Sequence, residues 1–187
     1  MHVMVTIDHP WKESFNHQIM HQICRTLEQG GHTVDVLDLH DENFDPVMHV
    51  DELAVYTRGE FRDPKVGEYQ ERIRRADHLI YIFPIWWEVM PALLKGFFDK
   101  VFLPGFAFNE ADFTPRLTHI KSGTVITTMG APEVIYTSVE PVLCKGILEV
   151  CGVQRTRWYN LTEVSLQPEH VRDAWVDEIL AHVRTLA

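Results

Sequence analysis

A run of five apolar residues, Leu79-Ile80-Tyr81-Ile82-Phe83, stands between His78 and Pro84 and decides how the rest of the chain can be arranged. It is too short for a buried helix and rich in β-formers, and Pro84 closes it, so it reads as a strand. A half-exposed strand alternates polar and apolar residues. This one does not, so both of its faces need cover, as in a parallel sheet between two helical layers.

The flanking sequence supplies those layers. Residues 3–7 form a short β-rich run. After a loop, Ser14 is a good N-cap for a helix with Ile19, Ile23 and Leu27 four apart, and Gly30-Gly31 stops it. Residues 33–39 read as a second strand, with Val34 and Val36 alternating with Asp35 and Asp38. Further strands are predicted at 78–83, 124–128 and 155–160, and helices at 65–75, 92–102, 138–151 and 170–185. A short helix is expected near residues 52–56. Strand and helix alternate throughout, which predicts an α/β fold with right-handed crossovers. No linker, repeat or low-complexity stretch interrupts residues 1–187, so one domain is expected.

Composition limits the function. The 187 residues carry a net charge of −10, which opposes binding to phosphate-rich surfaces, and 45% are hydrophobic, enough for a full core. No apolar run approaches the roughly 20 residues of a membrane span. The start of the chain lacks the basic segment of a signal peptide. Cys24, Cys144 and Cys151 form no metal-binding pair, which suits reduced thiols and a cytoplasmic location.

Ligands of such sheets bind beyond the carboxyl ends of the strands. Three loops lie there: 8–16, 84–91 and 128–136. Ser14-Phe15-Asn16 opens a helix whose free N–H groups suit a phosphate, although Ser14 as a simple cap explains the same residues. Trp86 and Trp87 lie between Pro84 and Pro91. Their indoles suit either a planar ring or a core or dimer contact. Thr127-Thr128-Met129-Gly130 allows close approach of a ligand, or is an ordinary turn. His17 and His21, four apart on a helix, read as a solvated face, as does the basic run at Arg72, Arg74 and Arg75.

The stretch Phe83-Pro84-Ile85-Trp86-Trp87, continued by Met90-Pro91-Ala92-Leu93-Leu94-Lys95-Gly96-Phe97-Phe98-Asp99-Lys100-Val101-Phe102 and by Pro104-Gly105-Phe106-Ala107-Phe108, resembles the NAD(P)H:quinone oxidoreductases of flavodoxin-like fold. That family includes bacterial general stress oxidoreductases and the ancillary reductases of potassium-efflux systems. The resemblance implies a five-stranded parallel sheet in the order 2-1-3-4-5 and a bound flavin, FAD or FMN, reduced by NADH or NADPH. It also implies a quinone-like acceptor and a homodimer. By the same resemblance His9, Ser14, Phe15 and Asn16 hold the phosphate side of the flavin, Pro84, Ile85, Trp86 and Trp87 its ring, and Thr127, Thr128 and Gly130 its other edge. Tyr136 stands where relatives carry a tyrosine linked to proton handling, and the histidine that follows in longer relatives has no counterpart before Cys151. Met129 replaces a small residue, and Glu88 replaces an aromatic one. An electron-carrier flavodoxin and a regulatory transporter subunit are the rival readings. Carriers show a Ser/Thr-rich phosphate loop after the first strand, where this chain has Asp8-His9-Pro10-Trp11.

Overall fold

A computed structural model of the chain describes residues 1–132 and 137–186. Five strands, β1 (His2–Ile7), β2 (Thr33–Asp38), β3 (His78–Pro84), β4 (Ser122–Thr128) and β5 (Thr156–Leu161), pair in parallel in the order β2-β1-β3-β4-β5. Every residue of β3 is buried, as its composition requires. Side chains alternate across a strand. Ile80 and Ile82 therefore join Val3, Val5 and Ile7 on one face, while Leu79, Tyr81 and Phe83 join Met4 on the other.

Helix α1 (Phe15–Gln29) covers the first face with α5 (Glu169–Val183), through Ile19, Ile23 and Leu27 against Val176, Ile179 and Val183. The second face takes α3 (Pro64–Arg75), α4 (Ala92–Val101) and a π-type helix, Val139–Glu149, through Tyr69, Ile73, Phe97, Leu143 and Leu148. The short helix expected near residues 52–56 is α2 (Val50–Leu53), followed by a 3₁₀ turn at Tyr56–Arg58.

The helix expected at 138–151 has the wider π pitch over Val139–Glu149. The N–H of Val150 reaches back five residues to Lys145 O at 3.3 Å. Gly146 lies against Pro141, where a Cβ would stand 3.0 Å from the carbonyl oxygen. Pro141 has no N–H to give the usual ladder.

The sequence expectation for Arg72 is corrected by packing. Arg72 is not a solvated helix end: its guanidinium reaches across to the edge strand, where Nη2 lies 2.6 Å from Asp35 Oδ1 and Nε 3.1 Å from Oδ2. Phe102 and Phe106 are buried in the α4-side core.

The register fixes where the loops meet. Ile7 pairs with both Asp38 and Ile82, and Thr128 pairs with Pro84 and Leu161. The carboxyl ends of all five strands thus come level, and the loops that follow them share one end of the sheet.

Candidate active site

The first loop is held at both ends by the sheet. Asp8 N donates to Ile82 O at 3.0 Å. The Asp8 carboxylate is buried and accepts from Leu94 N at 2.8 Å, in the first turn of α4. Pro91, the N-cap of α4, has no side chain to offer there, so Asp8 caps that helix from another strand. Its other oxygen lies 2.9 Å from His40 Nε2. Burial raises the Asp8 pKa above its ordinary value, and the bonds from Leu94 and His40 oppose that rise without cancelling it.

A group whose folded pKa is raised stabilises the fold most below its unfolded pKa, and loses that contribution as pH rises through the folded value. Relative to Asp8→Asn, which does not titrate, the wild type should therefore lose ground between pH 4 and pH 7. Urea midpoints of both proteins at the two pH values measure this. A difference that stays constant would mean that Asp8 titrates as it does in the unfolded chain.

At the start of α1, Ser14 caps the helix: its Oγ accepts from His17 N at 3.3 Å. The N–H groups of Phe15 and Asn16, in the first turn, have no partner within the helix by geometry. The Phe15 ring points to α5, 6.3 Å from Trp175 and beneath Arg172, so Phe15 brings only its backbone to the loop. Asn16 is 2% exposed. Its Oδ1 accepts from Thr128 Oγ1 at 2.9 Å, tying the first loop to the third, and its Nδ2 is buried without a partner among the described residues. His9 Nδ1 accepts from Trp11 N at 3.1 Å. Burial, then the neighbouring His17 and His40, hold the His9 ring below the ordinary histidine range.

His17 is not on a solvated face: it is buried, its Nδ1 lies 3.1 Å from Ser14 Oγ and its Nε2 2.9 Å from Asp38 Oδ2. Serine, histidine and aspartate in line have the outline of a hydrolase triad. Ser14 Oγ is already engaged as the helix cap, so the line serves to position the loop and not to activate a nucleophile. No group of three or more His, Cys, Asp or Glu among the described residues is arranged to hold a metal.

The second loop begins as an extension of the sheet, with Ile85 N donating to Thr128 O at 2.8 Å. Trp86 and Val89 then exchange backbone hydrogen bonds of 3.0 and 3.2 Å across a tight turn. Its two central residues, Trp87 and Glu88, both have positive φ, 50° and 69°. Neither is glycine, so each is strained by about 1–2 kcal/mol, and such strain gathers at ligand sites. The Trp87 side chain is 97% exposed and Trp86 48%, so neither indole belongs to the core of this chain.

In the third loop the Thr127 hydroxyl accepts from Trp158 Nε1 at 2.8 Å and donates to Asn160 Oδ1 at 2.9 Å. Thr127 and Thr128 are thus committed to neighbouring side chains. Gly130 has open space where a Cβ would lie, and its φ is not positive. A cavity of about 270 Å³ is lined by Ile85, Trp87, Glu88, Met129, Gly130 and Thr137. Tyr136, expected at this loop, lies outside the described residues.

The arrangement fits a flavin on three counts: a buried orphan amide beside a helix N-terminus, a cradle that a side chain at Gly130 would begin to fill, and an unpacked indole at the rim. The sequence model of one protein family, described by its flavodoxin-like fold, matches residues 1–185. This chain belongs to that family.

Within the flavodoxin-like family, a protein of Streptococcus mutans superposes with a TM-score of 0.87 at 32% identity, covering 100% of both chains. An NAD(P)H:quinone oxidoreductase of Methanothermobacter marburgensis superposes with a TM-score of 0.88 at 28% identity, covering 98% of this chain and 96% of the other. An NAD(P)H oxidoreductase of Haemophilus influenzae is 25% identical over 185 residues, 95% of this chain and 91% of its own. An NAD(P)H dehydrogenase [quinone] of Cavia porcellus is 28% identical, and the match spans only 64% of that longer protein.

Sequence reasoning missed Asp8, Asp38 and His40. The signal was present: each follows or ends a strand at the carboxyl edge, where an acid or imidazole has no place in a core and faces the loops.

Proposed function

We propose that this chain is a flavin-dependent NAD(P)H oxidoreductase that passes two electrons to quinones or similar small electrophiles. The observation that carries this reading is the meeting of all three loops at one end of the sheet, fastened by the Thr128–Asn16 hydrogen bond. A bound flavin supplies the capacity to accept a hydride and hand it on. The protein's part is binding and orientation. Backbone N–H groups of Phe15 and Asn16, with the Ser14 hydroxyl, the Asn16 amide and His9, hold the phosphate side. Pro84, Ile85, Trp86 and Trp87 flank the ring, and the backbone from Thr127 to Gly130 lines its far edge, because the threonine hydroxyls are already engaged.

Glu88 at the rim places a carboxylate beside the cavity. It disfavours anionic acceptors by charge repulsion. FAD is slightly favoured over FMN by the Ser-Phe-Asn loop, and mass measurement of the extracted cofactor separates them.

The decisive test is the absorption spectrum of the purified protein without oxygen. The flavin bands should bleach on adding NADPH or NADH and return on adding a quinone. A flavin that neither nucleotide bleaches would favour an electron carrier, and a protein that holds no flavin would overturn the reading.

Tyr136 is proposed to donate its hydroxyl toward the charge that develops on the reduced ring. Tyr136→Phe should slow the reductive half-reaction by about 3- to 100-fold at unchanged flavin content. Equal stopped-flow rates would assign Tyr136 to packing alone.

A homodimer is also proposed. An apolar hollow of about 460 Å³, lined by Tyr56, Phe98, Phe102, Phe108, Phe113 and Val150, opens beside α4 and the π-type helix. An exposed apolar hollow with the half-exposed Trp86 suits a second copy of this chain. Sedimentation at micromolar concentration should give twice the mass of 21.8 kDa, and a monomer would count against a shared site.

The cytoplasm is the proposed location. The three thiols are free, and burial pushes those of Cys24 and Cys151 up to about 11 and that of Cys144 up to about 12, so they stay protonated. No helix among the described residues is long and apolar enough to cross a membrane.

A further inference from the structure

The hydrogen-bond chain behind Ser14 has a direction, and the direction has a consequence for anion binding. Asp38, at the end of β2, is held below the ordinary carboxylate range by Lys12 and His17, against the opposing effect of its own burial. It is therefore an acceptor at neutral pH. His17 Nε2, 2.9 Å away, must donate to it. A neutral imidazole has one proton, so His17 Nδ1 is then a bare lone pair facing Ser14 Oγ at 3.1 Å. Only the Ser14 hydroxyl proton satisfies that contact. With the hydroxyl spent inward, its oxygen offers only lone pairs to whatever docks at the helix N-terminus, and a phosphate would be repelled.

We infer that His17 is a positioning residue that takes up one proton when a phosphate-bearing ligand docks at Ser14-Phe15-Asn16. Once protonated, His17 Nδ1–H donates to Ser14 Oγ. The hydroxyl proton then turns outward to the phosphate oxygen. The imidazolium rests on Asp38 and adds positive charge behind the site. This inference rests on the reading of the first loop as the flavin phosphate site.

The surrounding groups allow it. On α1 the next titratable ring is His21, 6.5 Å from His17, and in the loop His9 stands edge-on at 6.2 Å. His9 is held below the ordinary histidine range, first by burial, so it does not compete for the proton. Lys12 pairs with Asp38 and also with Asp41 at 2.7 Å. His40 is bound to Asp8 at the end of β1. Asp38 is thus the carboxylate that answers a charge on His17.

The test is calorimetry of the full-length protein, stripped of flavin and titrated at pH 8 in buffers of different ionisation enthalpy. FAD is the main probe, because its pyrophosphate gains no proton near neutrality. FMN and phosphate-free riboflavin are run beside it. Protons should be taken up on binding FAD and not riboflavin, and FAD binding should weaken as pH rises, by up to about tenfold per pH unit. In His17→Asn, which cannot be protonated, the uptake should vanish and the pH dependence fall below about twofold, with riboflavin affinity unchanged. If that variant does not fold, the contrast between FAD and riboflavin in the wild type decides alone. FAD binding without proton uptake, or uptake that persists in His17→Asn, would overturn the role of His17 and leave the flavin reading standing. Failure to bind any flavin would overturn both.

Discussion

Ser14→Ala combined with Asn16→Ala should weaken flavin retention by about 1–3 kcal/mol, roughly 5- to 150-fold, while the fold survives. Each change removes one donor that a phosphate would use. Asn16 is the sharper half, because its Nδ2 is buried with no partner among the described residues, and leaving a buried donor idle costs free energy that a ligand recovers on binding. Ser14 also accepts from His17 N, so its loss costs the helix about 1 kcal/mol as a missing cap. Asn16→Ala in addition frees the Thr128 hydroxyl. Flavin fluorescence on release gives the affinity, and urea unfolding gives the stability. Unchanged affinity in the double variant would mean that the phosphate is held elsewhere, and that the Thr128–Asn16 bond serves only to fasten two loops.

What the sequence made legible was set by local rules. The run from Leu79 to Phe83 has no polar break, so its burial on both faces followed from composition. Five helix-forming segments and five strands were readable from period and punctuation, because each is long enough to repeat its own pattern. The loops of the site were readable because strand ends dictate where they lie. What stayed hidden depends on partners far along the chain. His17 keeps the helical spacing of a surface residue, yet the end of β2 closes over it, and Asp38 is 21 residues away. Arg72 sits in a basic run that looks solvated, and its partner Asp35 lies on a strand 37 residues earlier. The positive φ of Trp87 and Glu88 was equally hidden, since neither residue favours that conformation. The paired backbone bonds between Trp86 and Val89, with the bond from Ser138 N to Glu88 O, hold it.

Lys100 makes the same point with a larger energy at stake. Its place in Phe98-Asp99-Lys100-Val101 suggests a solvated charge, yet the side chain is almost fully buried. All three ammonium protons are used: Nζ lies 2.8 Å from Glu52 Oε1 and donates to Asp45 O at 2.9 Å and Val47 O at 3.2 Å. The cation also stands 5.3 Å from the centre of the Phe44 ring. The segment it holds is pressed against α4, for a Cβ on Gly96 would come within 2.2 Å of Pro46 O. Lys100→Met keeps the apolar stem but strands a carboxylate and two carbonyls, so it should cost about 3–5 kcal/mol, the usual loss when one partner leaves a buried ion pair. Adding Glu52→Gln should recover part of that loss, because the stranded group is then neutral. Urea midpoints of the single and double variants measure both effects, and a loss below about 1 kcal/mol would mean that residues 45–52 lift away and hydrate. The ten residues of α4 span about 15 Å, and Lys100 is at the end away from the tryptophan loop. Folded Lys100→Met should therefore keep its flavin affinity, whereas the Ser14 and Asn16 variant keeps its fold and loses flavin. If both sets of changes moved stability and affinity together, the loops would not be a site carried on an independently stable sheet.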